Sequence, residues 1–229
     1  EATYQDWEAL SEAERRDETR KMEVYAAMID RMDQNIGRVL RKLDEMGVSE
    51  DTLILFASDN GASAEVVRLG DAGEIESMER WTSLGGDWAN VANTPLRYHK
   101  NESYEGGIRT PLIARWPAAL KAGDRFSREP FHFIDVMATL VDITGVDYPE
   151  RFEGEAVTPL QGRSFLPVLR GKGAGSRRTL YWQWQDAKAV RQGDWKLVTL
   201  GGEWELFDLK NDPAETRDLS DRFPQRVER

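Results

Sequence analysis

Thr52-Leu-Ile-Leu-Phe-Ala-Ser-Asp-Asn-Gly61 decides the fold: an apolar, partly β-branched run that stops at two oxygen-bearing side chains and a glycine. Apolar side chains facing both ways are the mark of a buried parallel strand rather than a half-exposed one. Ligands of open α/β sheets bind in the crevice outside the strands' carboxyl ends, so the strand would deliver Asp59 and Asn60 to a functional edge. A carboxylate beside an amide oxygen suits a hard cation such as Ca²⁺ or Mg²⁺. The same two residues also serve as caps or Asx turns, and four residues do not separate the alternatives.

Upstream, Met22, Tyr25, Ile29, Met32, Ile36, Val39, Leu43 and Met46 recur every three or four residues. That spacing predicts a helix from Thr19, closed by Gly47 and covering a sheet. Residues 1 to 18 are mostly charged, with Tyr4, Trp7 and Leu10 as anchors, and read as a surface loop or short helix. Downstream, periodicity fades as far as Pro95, apart from a short helix expected near Glu74 to Trp81. A connection of that length is usually functional or disordered, and Trp81 and Trp88 suit either a substrate rim or a buried anchor. A second apolar strand follows at Leu112 to Trp116, then a helix at Phe133 to Gly145.

Composition narrows the function classes. The 229 residues carry a net charge of -10, which disfavours a nucleic-acid or anionic-membrane surface. No apolar run approaches membrane-spanning length, and the polar opening from Glu1 does not read as a leader peptide. There is no cysteine, hence neither a disulfide nor a thiolate metal site within these residues.

Between Asn93 and Pro111 the chain reads Asn-Thr-Pro-Leu-Arg-Tyr-His-Lys-Asn-Glu-Ser-Tyr-Glu-Gly-Gly-Ile-Arg-Thr-Pro. The SDNG strand end, a lysine shortly before YEGGIRTP, the apolar strand and the helix after it resemble, in that order, the carboxyl-terminal half of the type I sulfatases of the alkaline phosphatase superfamily. The resemblance runs from the Tyr25 helix to Leu206-Phe-Asp-Leu-Lys-Asn-Asp-Pro-Ala-Glu-Thr-Arg-Asp-Leu219. It implies that Asp59 and Asn60 are Ca²⁺ ligands and that Lys100 contacts the sulfate ester. His99 is a weaker candidate for the acid that protonates the leaving alcohol, and His132, at a helix start, is weaker still. Arg109 is expected to pair with a buried carboxylate, and Gly106 and Gly107 to permit a turn where a Cβ would collide.

The family's nucleophile is a formylglycine made from the Cys or Ser of a CxPSR-like motif, and no such motif occurs in these residues. The chain is therefore expected to be part of a larger enzyme whose amino-terminal half is its partner, with self-association as the alternative. The expected fold is α/β: residues 1–148 supply part of a mixed, mostly parallel sheet with covering helices, and 149–229 a small antiparallel subdomain. Ser164 should cap a short helix, and Gly193-Asp194 and Gly201-Gly202 should each close a two-residue hairpin. The implied substrate is a sulfate-ester small molecule or sulfated glycan, and the implied compartment secreted, periplasmic or lysosomal. Phosphonate or phosphodiester hydrolysis, and non-catalytic glycan binding, are the alternatives.

Overall fold

The computed structural model describes residues 5–70, 73, 75, 77, 80–120, 126–173 and 178–229. Its longest element, α1 (Glu12–Glu45), begins seven residues before the expected start. The Ser11 hydroxyl accepts from the Glu14 N–H at 3.3 Å, and the Glu14 carboxylate accepts from the Ser11 N–H at 2.8 Å. This reciprocal capping box satisfies two otherwise orphaned donors and starts the helix inside the polar stretch. At the other end, Gly47 adopts φ +69°. Its N–H reaches Asp44 O, while Val48 N–H reaches Leu43 O, the paired closure that a left-handed residue permits. Before α1, Trp7–Ala9 forms one 3₁₀ turn, and Trp7 meets Trp88 edge-on at 6.3 Å.

The strand that organises the sequence is β1 (Ile54–Ala57). After β2 (Arg68–Leu69), β3 (Trp81–Thr82), α2 (Gly86–Asn93) and α3 (Glu105–Ile108) comes β4 (Leu112–Arg115). β1 pairs with β4, with Ile54 opposite Arg115 and Ala57 opposite Leu112, so the pair is antiparallel. The expected parallel arrangement is not seen, because every strand pairing among the described residues is antiparallel. An apolar run reports burial on two faces, which is common in parallel sheets but does not fix the direction of a given neighbour. Within these residues that burial is partial: Phe56 is 40 % and Ile113 59 % exposed. The α1 stripe is likewise half covered, with Met28 65 % and Val39 61 % exposed. Trp81 lies in the β2–β3 ribbon rather than at a helix end; most of the 74–80 segment proposed as helix falls outside the described residues.

After β4 come α4 (Ile134–Thr144), the ribbon β5 (Arg151–Phe152) with β6 (Glu155–Ala156), and α5 (Leu166–Leu169). Gly145 ends α4 at φ +68°. Phe165, not Ser164, occupies the cap position of α5, although Ser164 Oγ accepts from the Leu166 N–H at 3.2 Å. A four-stranded antiparallel meander follows: β7 (Thr179–Trp184), β8 (Ala187–Gln192), β9 (Trp195–Leu200) and β10 (Glu205–Asp208). Gly193-Asp194 closes the β8–β9 hairpin in two residues, as expected. The β9–β10 connection is longer than expected, because Thr199 Oγ1 bonds both the Gly201 N–H and the Gly202 carbonyl and delays the next strand to Glu205. The tail ends in α6 (Pro224–Val227). Val198, Phe207, Ala189 and Leu209 form a buried core, and Tyr104 enters it from outside the sheet.

Candidate active-site edge

The carboxyl end of β1 and the 93–109 segment are joined through their backbones. Gly61 N–H donates to Gly107 O at 2.9 Å, and Lys100 N–H to Ala62 O at 2.9 Å. Asn93 Oδ1 accepts from the Ala62 N–H at 3.1 Å, while Asn93 Nδ2 donates to Tyr98 O at 3.0 Å. Lys100 therefore crosses the chain two residues beyond Asn60, which brings its backbone beside the strand end that carries Asp59 and Asn60.

Glycine makes this contact possible. A Cβ on Gly61 would lie 1.7 Å from Gly106 O, one on Gly106 2.1 Å from Tyr98 O, and one on Gly107 2.0 Å from Glu102 O. These are close approaches between chain segments, so any side chain would push the layers apart.

The side chains have separate partners. Lys100 Nζ donates to Glu65 Oε1 at 3.2 Å, a pair with both members substantially exposed. Hydrogen bonding from Ser63, followed by Lys100, holds the Glu65 carboxyl below its ordinary range. Asp59 is exposed and Asn60 half-buried, while Ser58 Oγ donates to Asn60 O at 2.9 Å. His99 turns its Nδ1 to the neighbouring Lys100 carbonyl oxygen at 3.2 Å and stands edge-on to Tyr98. His132 belongs to a different cluster. Its Nδ1 accepts from the Ile134 N–H at 3.3 Å, and its ring lies 5.9 Å from that of Trp182. Burial lowers its pKa. Beside it Asp135 forms two hydrogen bonds with Arg178 and accepts from the backbone N–H of Arg163 and His132, each at 2.9 Å. Burial pushes the Asp135 carboxyl up, and these donors outweigh it and hold the group below its ordinary value.

Among the described residues, no group of three or more His, Cys, Asp or Glu could hold a metal by itself. Asp59 and Asn60 match Ca²⁺ in donor type, oxygen from a carboxylate and an amide, and supply two of the six to eight oxygens such an ion takes. They fit as part of a site completed from elsewhere.

Beneath this edge lies a buried charge cluster that is hard to see in sequence. Arg109 Nη1 stands 3.7 Å from Glu105 Oε2, the buried-carboxylate partner expected of it. Glu105 also meets Lys196 of β9, whose Nζ donates to its Oε1 at 2.9 Å. The same ammonium stands 2.7 Å from Glu215 Oε1, as an ionic contact rather than an aligned hydrogen bond. Glu215 Oε2 accepts from the Glu105 N–H at 2.7 Å. Burial raises the Glu215 pKa against the opposing pull of Lys196. Nearby, Arg97 and the Tyr104 hydroxyl both reach Glu205 of β10. The available signal was a lysine at an inward position of a strand, between Trp195 and Leu197.

The sulfatase family model matches residues 1–146, and that of N-sulphoglucosamine sulphohydrolase, C-terminal, matches residues 97–226. An uncharacterized sulfatase of Schizosaccharomyces pombe is 32% identical over 241 residues, spanning 95% of this chain and 43% of its own length. The steryl-sulfatase of Mus musculus is 35% identical over 230 residues, 86% of this chain and 33% of its own. A crystal structure of Ps i-CgsB in complex with k-i-k-neocarrahexaose superposes with a TM-score of 0.68 at 25% identity, over 89% of this chain and 40% of that one. The chain thus spans less than half the length of these relatives. With a backbone-locked SDNG edge and a family match running from residue 1 to residue 146, the chain belongs to the sulfatase family.

Proposed function

We propose that this chain is the carboxyl-terminal part of a sulfuric ester hydrolase, with residues 1–148 in its catalytic α/β domain and 149–229 in a small carboxyl-terminal subdomain. The observation that carries the proposal is the hydrogen-bonded crossing of Lys100 over Ala62, two residues past Asn60. It supports a shared edge where an oxygen-ligated cation and an ammonium group face one oxyanion.

In this proposal Asp59 and Asn60 hold a Ca²⁺ or Mg²⁺ ion together with ligands from the rest of the enzyme. When bound, the ion would offset charge on the sulfate oxygens. Lys100 rests on Glu65 until an anion arrives. Exposed ion pairs of this kind are weak, so a sulfate group can displace the carboxylate. The ammonium then stabilises the ester oxygen as it gains charge in leaving. His99 is the candidate proton donor to that oxygen, which would require its ring to leave the Lys100 carbonyl. A formylglycine does not fit these residues, which contain neither cysteine nor the modification motif, and is assigned to the amino-terminal half.

The half-covered α1 stripe and the exposed faces of Phe56 and Ile113 are proposed to pack against that half, which would also complete the mostly parallel sheet beside β1. A chain produced alone would bury the same surfaces by self-association. A sulfate-ester small molecule or a sulfated glycan is the proposed substrate, in keeping with the steryl-sulfatase and neocarrahexaose-bound relatives.

The test is Lys100→Ala in the full-length enzyme. We expect kcat and kcat/KM for an aryl sulfate to fall together by about 10²-fold, with thermal stability nearly unchanged. A parallel assay with an aryl phosphonate discriminates the superfamily alternative: faster turnover of the phosphonate would reassign the reaction. Absence of turnover on either ester, with retained glycan binding, would favour a binding module.

A further inference from the structure

The proposed sulfate chemistry leaves the buried charge cluster unused. Lys196 and Glu215 are fully buried and Glu105 nearly so, and the three come from segments remote in sequence. Buried ion pairs are weak sources of stability, because desolvation offsets most of the attraction. What such a cluster does supply is a fixed relative placement of its parts. Glu215 adopts φ +55°, a left-handed conformation uncommon outside glycine, and from there both carboxylate oxygens reach their partners.

Glu105 is the residue from which a displacement would propagate. It directly precedes Gly106, whose N–H bonds Arg97 O at 2.8 Å, and Gly107, whose carbonyl oxygen accepts from Gly61. The carbonyls of Tyr98 and Glu102 press on these two glycines so closely that no Cβ fits. A stack without free space transmits movement. If Glu105 shifts, segment 97–102 shifts with it, and Lys100 moves relative to Asp59 and Asn60.

We propose that Lys196 and Glu215 are positioning residues for Lys100: the carboxyl-terminal sheet clasps Glu105 and so sets where the sulfate-contacting ammonium stands. The proposal rests on the assignment of Lys100 made above.

The experiment uses the full-length enzyme carrying Lys196→Met or Glu215→Gln, each alone and combined with Lys100→Ala. Aryl-sulfate kinetics and amide hydrogen exchange over residues 97–107 are both measured. A misplacement near 1 Å lowers turnover by about 10²-fold, and we expect that loss in kcat for Lys196→Met. In the Lys100→Ala background the same substitution should change kcat by no more than about twofold, since both act through one group. Exchange over 97–107 should accelerate while α4 stays protected. Glu215→Gln removes the charge that faces Lys196 while keeping an acceptor for the Glu105 N–H, so a smaller loss of kcat that likewise disappears in the Lys100→Ala background tests the clasp if Lys196→Met does not fold; no loss in either variant overturns it. Equal losses in both backgrounds, or unaltered exchange over 97–107, overturn the clasp. If Lys100→Ala alone is silent, the sulfate-contact assignment fails, and the exchange data alone decide whether the cluster holds the loop.

Discussion

Gly61→Ala tests whether the candidate active-site edge is as tightly layered as its backbone contacts require. The added methyl carbon would lie 1.7 Å from Gly106 O and 2.8 Å from Gly106 C. Reaching even a 3.0 Å contact requires the layers to part by roughly 1.3 Å, and overpacking of this kind costs about 1–3 kcal/mol. That movement also breaks the Gly61 N–H to Gly107 O bond, adding about 1 kcal/mol. The sum, about 2–4 kcal/mol, should lower the Tm of a full-length enzyme more than twice this chain's length by roughly 2–4 °C. Gly47→Ala is the control: no atom lies within 4 Å of its would-be Cβ, and its φ of +69° restricts the cost to about 1 kcal/mol of backbone strain. Calorimetry of both full-length variants, with aryl-sulfate turnover, separates the two effects. Only Gly61→Ala should lose activity, by about 10²-fold for a shift near 1 Å. Equal Tm changes with intact turnover in both would show that the 61 and 106 layers do not meet as described.

Other outcomes follow from individual side chains. Asp135→Asn leaves the largely buried Arg178 without its carboxylate, so chemical denaturation should show a loss of about 3–5 kcal/mol. Because Asp135 titrates lower folded than unfolded, its contribution is complete above about pH 4 and is lost as pH falls further. The acid limb of the stability profile should therefore flatten in the variant. Ser11→Ala removes one half of the capping box and should cost about 1 kcal/mol, with amide exchange speeding up in the first turn of α1 alone. Asp59→Ala should abolish Ca²⁺ binding by the full-length enzyme in calorimetry. The isolated 229-residue chain should bind the ion weakly, and micromolar affinity lost on Asp59→Ala would reveal a complete site within it.

The body of α1, its Gly47 stop, α4 and four consecutive strands were legible because each depends on periodicity or on one residue's conformational preference. The start of α1 was missed because apolar spacing begins only at Met22, while the Ser11 and Glu14 signal sits among charged residues. Strand direction was not legible at all: Leu53 to Ala57 would read identically beside a parallel or an antiparallel neighbour. At the site, Asp59, Asn60 and Lys100 stood out through their motif. Glu65 did not, since an acidic residue in an aperiodic loop advertises no partner. Glu105, Lys196 and Glu215 escaped for a related reason. Their separations of 91 and 110 residues lie outside any local pattern, and only the fold brings the Lys196 ammonium between the two carboxylates.

Tyr104 has a consequence for protein engineering. Its ring is buried with Val198, Phe207 and Leu209, so the hydrophobic core of the carboxyl-terminal sheet is completed by a residue 45 positions before the proposed boundary at 149. The sheet is consequently not a cassette. A chimaera that grafts residues 149–229 onto another sulfatase would carry away Lys196 and Glu215 while leaving behind both the aromatic ring that seals their core and the Glu105 carboxylate that pairs with Lys196. An exchangeable unit would have to include the 97–109 segment, and with it the turn that carries Lys100. The loops at this edge are then inherited together with the sheet beneath them, and recombination between relatives should tolerate crossovers upstream of Asn93 far better than crossovers near Pro149.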